Sequence, residues 1–352
     1  MASWEDYVRK VVPYTPGEQP KNPDVVKLNT NENPYPPSPR VKEALEGLTE
    51  DMLRRYPDPA ASGLVDAIAD QYHVSPKQVF AGVGSDDVLA MSFLTFFNSK
   101  KPLLFPDISY SFYEVWADLF RIPCEKQRLN DRFEIDPEDY MKENGGIIFP
   151  NPNAPTGVLM GKDRIEEILQ KNRDSVVIVD EAYIDFAPKG SSALSLLPKY
   201  ENLLVVQTFS KSRSLAGMRV GFAIGSEKLI RYLSDCKYSF NSYTMNQAAL
   251  LAGEAAVKDS AYYEQCCRKV VATRERTKTV LAEMGFSFAD SRSNFLFVTH
   301  KDVPARQLFH DLREKNIIVR YFDQPRIDNY LRITIGTDRQ MDILFDFLRN
   351  YL

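Results

Sequence analysis

Lys211 stands in Thr208-Phe209-Ser210-Lys211-Ser212-Arg213, directly after the apolar run Leu203-Leu204-Val205-Val206, and Arg219 follows eight residues later. The spacing puts a primary amine, two hydroxyls and a guanidinium at one end of a buried strand. An amine there can condense with an aldehyde, while the hydroxyls and the guanidinium hold a phosphate. A lone Ser-Lys pair is ordinarily a solvated loop lysine, so the reading depends on what else converges on it.

Asp180 ends the apolar run Val176-Val177-Ile178-Val179. A carboxylate at a buried strand end needs a partner, because an unpaired buried charge is costly. That partner is a helix cap, an arginine, or the protonated nitrogen of a heterocycle. The last option, beside an amine and a phosphate anchor, describes pyridoxal phosphate, whose ring becomes an electron sink when its nitrogen keeps a proton. Tyr183 lies within reach of such a ring's phenolic oxygen. Gly84-Ser85-Asp86 falls between a strand and a helix, where free N–H groups and the positive dipole end favour phosphate. The same triplet also suits a plain helix cap. A carboxylate would repel a phosphate, so Asp86 and Asp87 are expected to point aside. Tyr110 follows a strand end and can stack on a flat ring or belong to the core. Arg320 and Arg332 lie in strands; on one face they would bind two anions bidentately, or else form structural ion pairs.

The elements that must position these groups repeat from about residue 78 to 225. Short apolar strands at 79–82, 102–105, 146–149, 176–179 and 203–206 each end in a polar cluster, usually followed by a helical stretch. Strands apolar on both faces that alternate with helices predict a parallel sheet covered on both sides. Ligands of such sheets bind beyond the carboxyl ends of the strands, where all five clusters fall. Ahead of this lies a segment rich in proline and asparagine, with Pro13, Pro16, Pro20, Pro23 and Asn29-Thr30-Asn31-Glu32-Asn33-Pro34. It predicts an extended arm over residues 1–40, docked through Tyr14 and Tyr35. A large unit then spans 41–245 and a smaller α+β unit 246–352. The latter is read as one long helix over 246–285, strands at 293–298, 317–320 and 331–336, and helices at 305–316 and 341–352.

The chain has 352 residues, 44% of them hydrophobic, and a net charge of −4. This composition is that of a globular protein and argues against a broad nucleic-acid-binding face. No apolar stretch approaches the roughly 18 residues that span a bilayer. The start, Met1-Ala2-Ser3-Trp4-Glu5-Asp6-Tyr7, lacks signal-peptide character. Cys124, Cys236, Cys266 and Cys267 are read as reduced thiols of a cytoplasmic protein. The scattered His73, His300 and His310 suggest no metal site.

Taken in order, these motifs resemble the histidinol-phosphate aminotransferase family of fold type I pyridoxal phosphate enzymes. The likeness rests on Asn29 to Pro34, Arg55-Tyr56-Pro57-Asp58-Pro59, Gly84-Ser85-Asp86, Asn151 to Gly157, Asp180-Glu181-Ala182-Tyr183, Phe209-Ser210-Lys211, Gly217 to Gly221 and Leu331 to Gly336. The resemblance implies a mostly parallel seven-stranded sheet sandwiched by helices, a smaller α+β domain and an extended N-terminal arm. It implies that Lys211 carries the cofactor, with Asp180 on the ring nitrogen, Tyr183 on the phenolic oxygen and Tyr110 against the ring. Ser85, Asp86, Thr208, Ser210 and Arg219 would hold the phosphate, and Tyr56 would reach the phosphate of a partner subunit in a homodimer. Arg332 would take the α-carboxylate of glutamate, and Arg320 with Tyr14 the substrate's phosphate or second carboxylate. The family has asparagine immediately before Pro-Thr-Gly; here Ala154 stands there, and Asn153 is the candidate to compensate. Transamination of histidinol phosphate with 2-oxoglutarate is the expected activity. An aromatic amino acid aminotransferase, a phosphothreonine decarboxylase and a cofactor-binding regulatory module are the competing readings.

Overall fold

The computed structural model describes residues 3–22 and 24–352, so Pro23 of the expected arm lies outside the described residues. In chain order the strands are β1 (Val26–Lys27), β2 (Val79–Gly82), β3 (Leu103–Pro106), β4 (Cys124–Gln127), β5 (Gly146–Pro150), β6 (Val177–Asp180), β7 (Leu203–Thr208) and β8 (Gly221–Gly225). They continue with β9 (Phe286–Phe288), β10 (Phe295–His300), β11 (Ile317–Ile318), β12 (Arg320–Tyr321) and β13 (Leu331–Thr334).

Seven strands form one sheet in the order β2-β8-β7-β6-β5-β3-β4. Only β8 runs antiparallel, against both β2 and β7. The five anticipated strands are all present. The sequence pattern missed β4, whose first three residues are exposed at the sheet edge and so carry no apolar run, and the reversed β8. Both faces of the central strands are apolar. Ile148, Ile178, Leu204 and Val206 pack on one side against the helices Gly84–Phe96, Phe112–Phe120 and Glu227–Phe240. Ile147, Phe149, Val177, Val179, Leu203 and Val205 pack on the other. Alternate residues thus feed two cores, and burying each such side chain contributes about 1.5–3 kcal/mol.

The C-terminal part holds a four-stranded antiparallel sheet, β12-β13-β10-β9, around its own core. Two expectations change here. The long helix read over 246–285 is two helices, Gln247–Lys258 and Ser260–Glu283, broken at Asp259. The strand read over 317–320 divides between sheets: β11 pairs in parallel with β1 of the arm, whereas β12 joins β13. The arm is thereby anchored by backbone pairing, with Val26 opposite Ile317 and Lys27 opposite Ile318.

Candidate active site

The six parallel strands of the large sheet deliver their carboxyl ends to one edge. Because β8 is reversed, its first residue, Gly221, lies at that edge too, abreast of Gly82 and Thr208. Arg219, just before β8, is therefore brought to the same edge as the ends of β2 and β7. A crevice of about 460 Å³ opens there. Its walls include Ser85, Asp86, Tyr110, Asp180, Tyr183, Thr208, Ser210, Lys211 and Arg219 from the large sheet side. Arg320, Phe322 and Arg332 come from the small sheet, and Tyr14, Gln19 and Asn29 to Glu32 from the arm.

Lys211 is half-buried at the floor, and its Nζ donates to the Thr30 carbonyl at 3.1 Å. Burial, aided by the nearby Arg332 charge, lowers its pKa to about 8. Asp180 accepts from the Tyr113 hydroxyl at 2.7 Å and the Ala182 amide at 3.2 Å. Burial pushes its pKa up to about 6, and no arginine or lysine among the described residues pairs with it. The Tyr183 hydroxyl accepts from Asn31 Nδ2 at 2.9 Å. Asn31 is left-handed, φ 57°, a conformation asparagine tolerates, and its Oδ1 takes the Thr334 hydroxyl at 3.0 Å.

The helix Gly84–Phe96 begins without a side-chain cap, so its first N–H groups face the crevice edge unblocked by a cap. Close packing forms the cradle: a Cβ on Gly221 would lie 2.3 Å from the Ser85 nitrogen, and one on Gly84 2.6 Å from Arg219 Nη2. Arg219 itself is left-handed, φ 54°. Asp87 does turn aside, accepting from the Val83 amide at 2.9 Å. Asp86 does not. Its carboxylate takes Arg219 Nη2 at 3.1 Å and the Tyr110 hydroxyl at 2.8 Å, because both donors reach it at the helix start.

On the facing wall Arg320 and Arg332 are cross-strand partners in β12 and β13, so their side chains share a face. Arg313 and Arg326, before and after Arg320 in sequence, pair with Glu18 and Asp107. Arg332 instead donates only to the Asn29 carbonyl at 3.0 Å and leaves a buried Nε without a partner. Tyr14 stacks on Phe112 with centroids 4.1 Å apart.

Two anticipated residues lie outside the crevice. Asn153 is buried, and its amide donates to the Ile108 carbonyl and to Thr156 Oγ1, both at 3.0 Å. It lines a separate cavity behind the 151–160 loop, so it does not stand in for the group missing at Ala154, which does line the crevice. Tyr56 is 82% exposed and rests on Tyr243, centroids 4.6 Å apart, away from this crevice. Sequence reasoning missed Tyr113 and assigned Asn31 no role of its own. The donor set fits pyridoxal phosphate: an amine of lowered pKa, a buried carboxylate without a cation, an aromatic ring, Tyr110, in the crevice wall, and an uncapped helix start with an arginine beside it.

This combination of sheet and site defines an aminotransferase, and residues 23–348 match the family described as aminotransferase class I and II. The chain belongs to that family. It is 51% identical over 346 residues to a histidinol-phosphate aminotransferase of Clostridium acetobutylicum, covering 98% of each chain. It is 52% identical over 344 residues to one of Brachyspira hyodysenteriae, covering 98% of this chain and 97% of that one. The fold matches the histidinol-phosphate aminotransferase of Sinorhizobium meliloti in complex with pyridoxal-5'-phosphate, with a TM-score of 0.84, 22% identity and coverage of 92% and 91%. It also matches the L-threonine-O-3-phosphate decarboxylase of Porphyromonas gingivalis, with a TM-score of 0.79, 20% identity and coverage of 92% and 98%.

Proposed function

We propose that the chain is a pyridoxal phosphate-dependent transaminase that moves an amino group between histidinol phosphate and 2-oxoglutarate. The observation that carries this reading is the arginine pair. Two arginines stand in register on one face of the small sheet, with no carboxylate partner among the described residues, in the same crevice as a lysine of lowered pKa. Like charges directly opposite are unfavourable unless anions separate them, and both substrates bring anions.

When bound, the cofactor supplies a conjugated ring that accepts the electron pair left at the substrate α-carbon as its proton leaves. Lys211 Nζ, whose pKa of about 8 lets it shed and regain a proton near neutral pH, takes that proton and returns it. Asp180 holds the ring nitrogen, Tyr183 the phenolic oxygen, and Tyr110 lies against the ring. Ser85, Asp86, Thr208, Ser210 and Arg219 hold the phosphate, Ser85 and Asp86 through their backbone N–H groups. Arg332 binds the glutamate α-carboxylate. Arg320 with Tyr14 binds the histidinol phosphate ester or the second carboxylate of glutamate. The arm and the units 41–245 and 246–352 each contribute to this one site.

Single-turnover half-reactions with histidinol phosphate, phenylalanine and phosphothreonine test the assignment. Histidinol phosphate is expected to convert fastest. Faster conversion of phenylalanine would make the chain an aromatic aminotransferase, and release of carbon dioxide from phosphothreonine would make it a lyase.

The working unit is a homodimer in the cytoplasm. Tyr56 and Tyr243 pack together in the open, and Leu53 and Phe240, three residues from each in sequence, are exposed too, which suits a second copy that brings Tyr56 to the partner's cofactor phosphate. Four free cysteines accord with a reducing compartment. Mixing Lys211→Ala with Tyr56→Ala chains is expected to restore part of the activity, because one hybrid site is intact. No recovery after verified subunit exchange would remove Tyr56 from the partner's site.

A further inference from the structure

Asp180 has two donors and no cation, so whatever fixes those donors fixes the carboxylate. One is a backbone amide two residues away. The other is Tyr113, fully buried in the helix Phe112–Phe120, whose hydroxyl lies 2.7 Å from Asp180 Oδ2. Tyr113 does not line the crevice. Its ring is locked among Phe93, Phe105, Tyr110 and Trp116, at centroid distances of 6.2, 6.0, 5.8 and 6.4 Å. A phenol held this firmly can present its O–H in few ways, and it fixes the position of one carboxylate oxygen. The second oxygen is tied more loosely, by the longer bond to Ala182. Asp180 therefore meets the crevice with one face set by the aromatic core.

We propose that Tyr113 is a positioning residue: its hydroxyl orients the Asp180 carboxylate and keeps it anionic toward a cationic ring nitrogen in the crevice. This rests on the reading that the crevice takes pyridoxal phosphate. The chemistry is that of a hydrogen bond to the charged form, which favours the anion over the neutral acid. Without it, burial acts on Asp180 unopposed by its shortest bond, the carboxyl holds its proton more tightly, and the ring nitrogen loses its counter-charge. Tyr113 differs in this from its neighbour Tyr110, which donates to Asp86 and lines the crevice itself.

Tyr113→Phe tests this while keeping the ring and its packing. The purified full-length protein is loaded with pyridoxal phosphate, and two quantities are read: the cofactor dissociation constant from fluorescence, and the pH at which the bound cofactor's visible absorbance titrates. A positive ring nitrogen makes the imine nitrogen conjugated with it across the ring more acidic. The variant should accordingly titrate about one pH unit higher and bind the cofactor about tenfold more weakly. A role confined to packing would move neither. In an Asp180→Asn background the same substitution should change the dissociation constant less than twofold, because the hydroxyl acts through that carboxylate. Unchanged titration and affinity in Tyr113→Phe, or equal losses in both backgrounds, would overturn the proposal. If the unaltered protein bound no pyridoxal phosphate, the assignment of the cofactor would fail instead, and the two failures are distinguishable.

Discussion

The two walls of the crevice are built on opposite terms. On the large-sheet wall every charged group has a partner within the chain: Asp180 has Tyr113 and Ala182, and Arg219 and Tyr110 share Asp86. On the small-sheet wall Arg320 and Arg332 are cross-strand partners without a carboxylate among the described residues, whereas Arg313 and Arg326, before and after Arg320 in sequence, are paired. A wall whose charged side chains are already hydrogen-bonded keeps them in place with nothing bound, while its uncapped helix start is left for an anion, which suits a group that stays. A wall short of anions gains most when one arrives and loses it on departure, which suits a group that exchanges. On the proposed function, fixed and exchangeable ligands would be separated by how completely the protein satisfies its own charges.

The largest effect should come from the fixed wall. Lys211→Ala is expected to lower transamination by roughly 10²–10⁴-fold or more, the range a positioned proton carrier supplies. Borohydride reduction followed by peptide mapping should place the pyridoxyl group on Lys211; a label on another lysine would dissolve the distinction between the walls. On the exchangeable wall, Arg332→Ala should cost about 2–5 kcal/mol toward a bound carboxylate. That is a loss of roughly 30-fold or more in the glutamate half-reaction, with histidinol phosphate, which has no carboxylate, largely spared. Equal losses in both half-reactions would show that the two arginines do not divide their anions.

The smallest effect is on stability, and it sharpens what self-satisfaction costs. Glu181 lies buried behind the fixed wall, bonded to Ser192, Ala193 and Gln207, and burial raises its pKa to about 7. Asp180, at about 6, is shifted the same way. Folded pKa values above the unfolded ones mean that the folded apoprotein binds protons more tightly. Its extra stability is full below about pH 4, where the unfolded carboxyls are also protonated, and is lost as pH rises through 6 to 7. Urea unfolding of the apoprotein between pH 5 and 8 should show this decline, and Glu181→Gln should flatten it by roughly 1–3 kcal/mol. Added pyridoxal phosphate should cancel the part due to Asp180 and leave the part due to Glu181. A flat profile for the unaltered apoprotein would contradict both shifts.

The large sheet was legible because its strands are apolar on both faces and end in polar clusters, and Lys211, Asp180 and Arg219 stood out at those ends. What escaped has a physical pattern. Tyr113 sits in Phe112-Tyr113-Glu114-Val115-Trp116, where an aromatic reads as core; its ring is core, and only its hydroxyl belongs to the site. Asp86 was expected to avoid a phosphate, but its pull toward Arg219 and Tyr110 prevails in the free chain. Asn153 was assigned by proximity to Ala154, yet neighbouring residues in a turn face different ways. The division of residues 317–321 between two sheets was invisible because one sheet is completed by β1, nearly 300 residues earlier.

The arm that closes the crevice has a consequence for how the molecule comes to exist. Asn31 is bonded to Tyr183, Thr334 and Asn294, at sequence separations of 152, 303 and 263 residues. Contacts of such range form slowly, since the chain entropy they cost must be met before they add stability. On the ribosome, the arm emerges long before Asn294, β11 and β13 and must wait for them before its partners exist. The catalytic crevice is accordingly a late product of folding, completed only when the first and last tenths of the polypeptide meet.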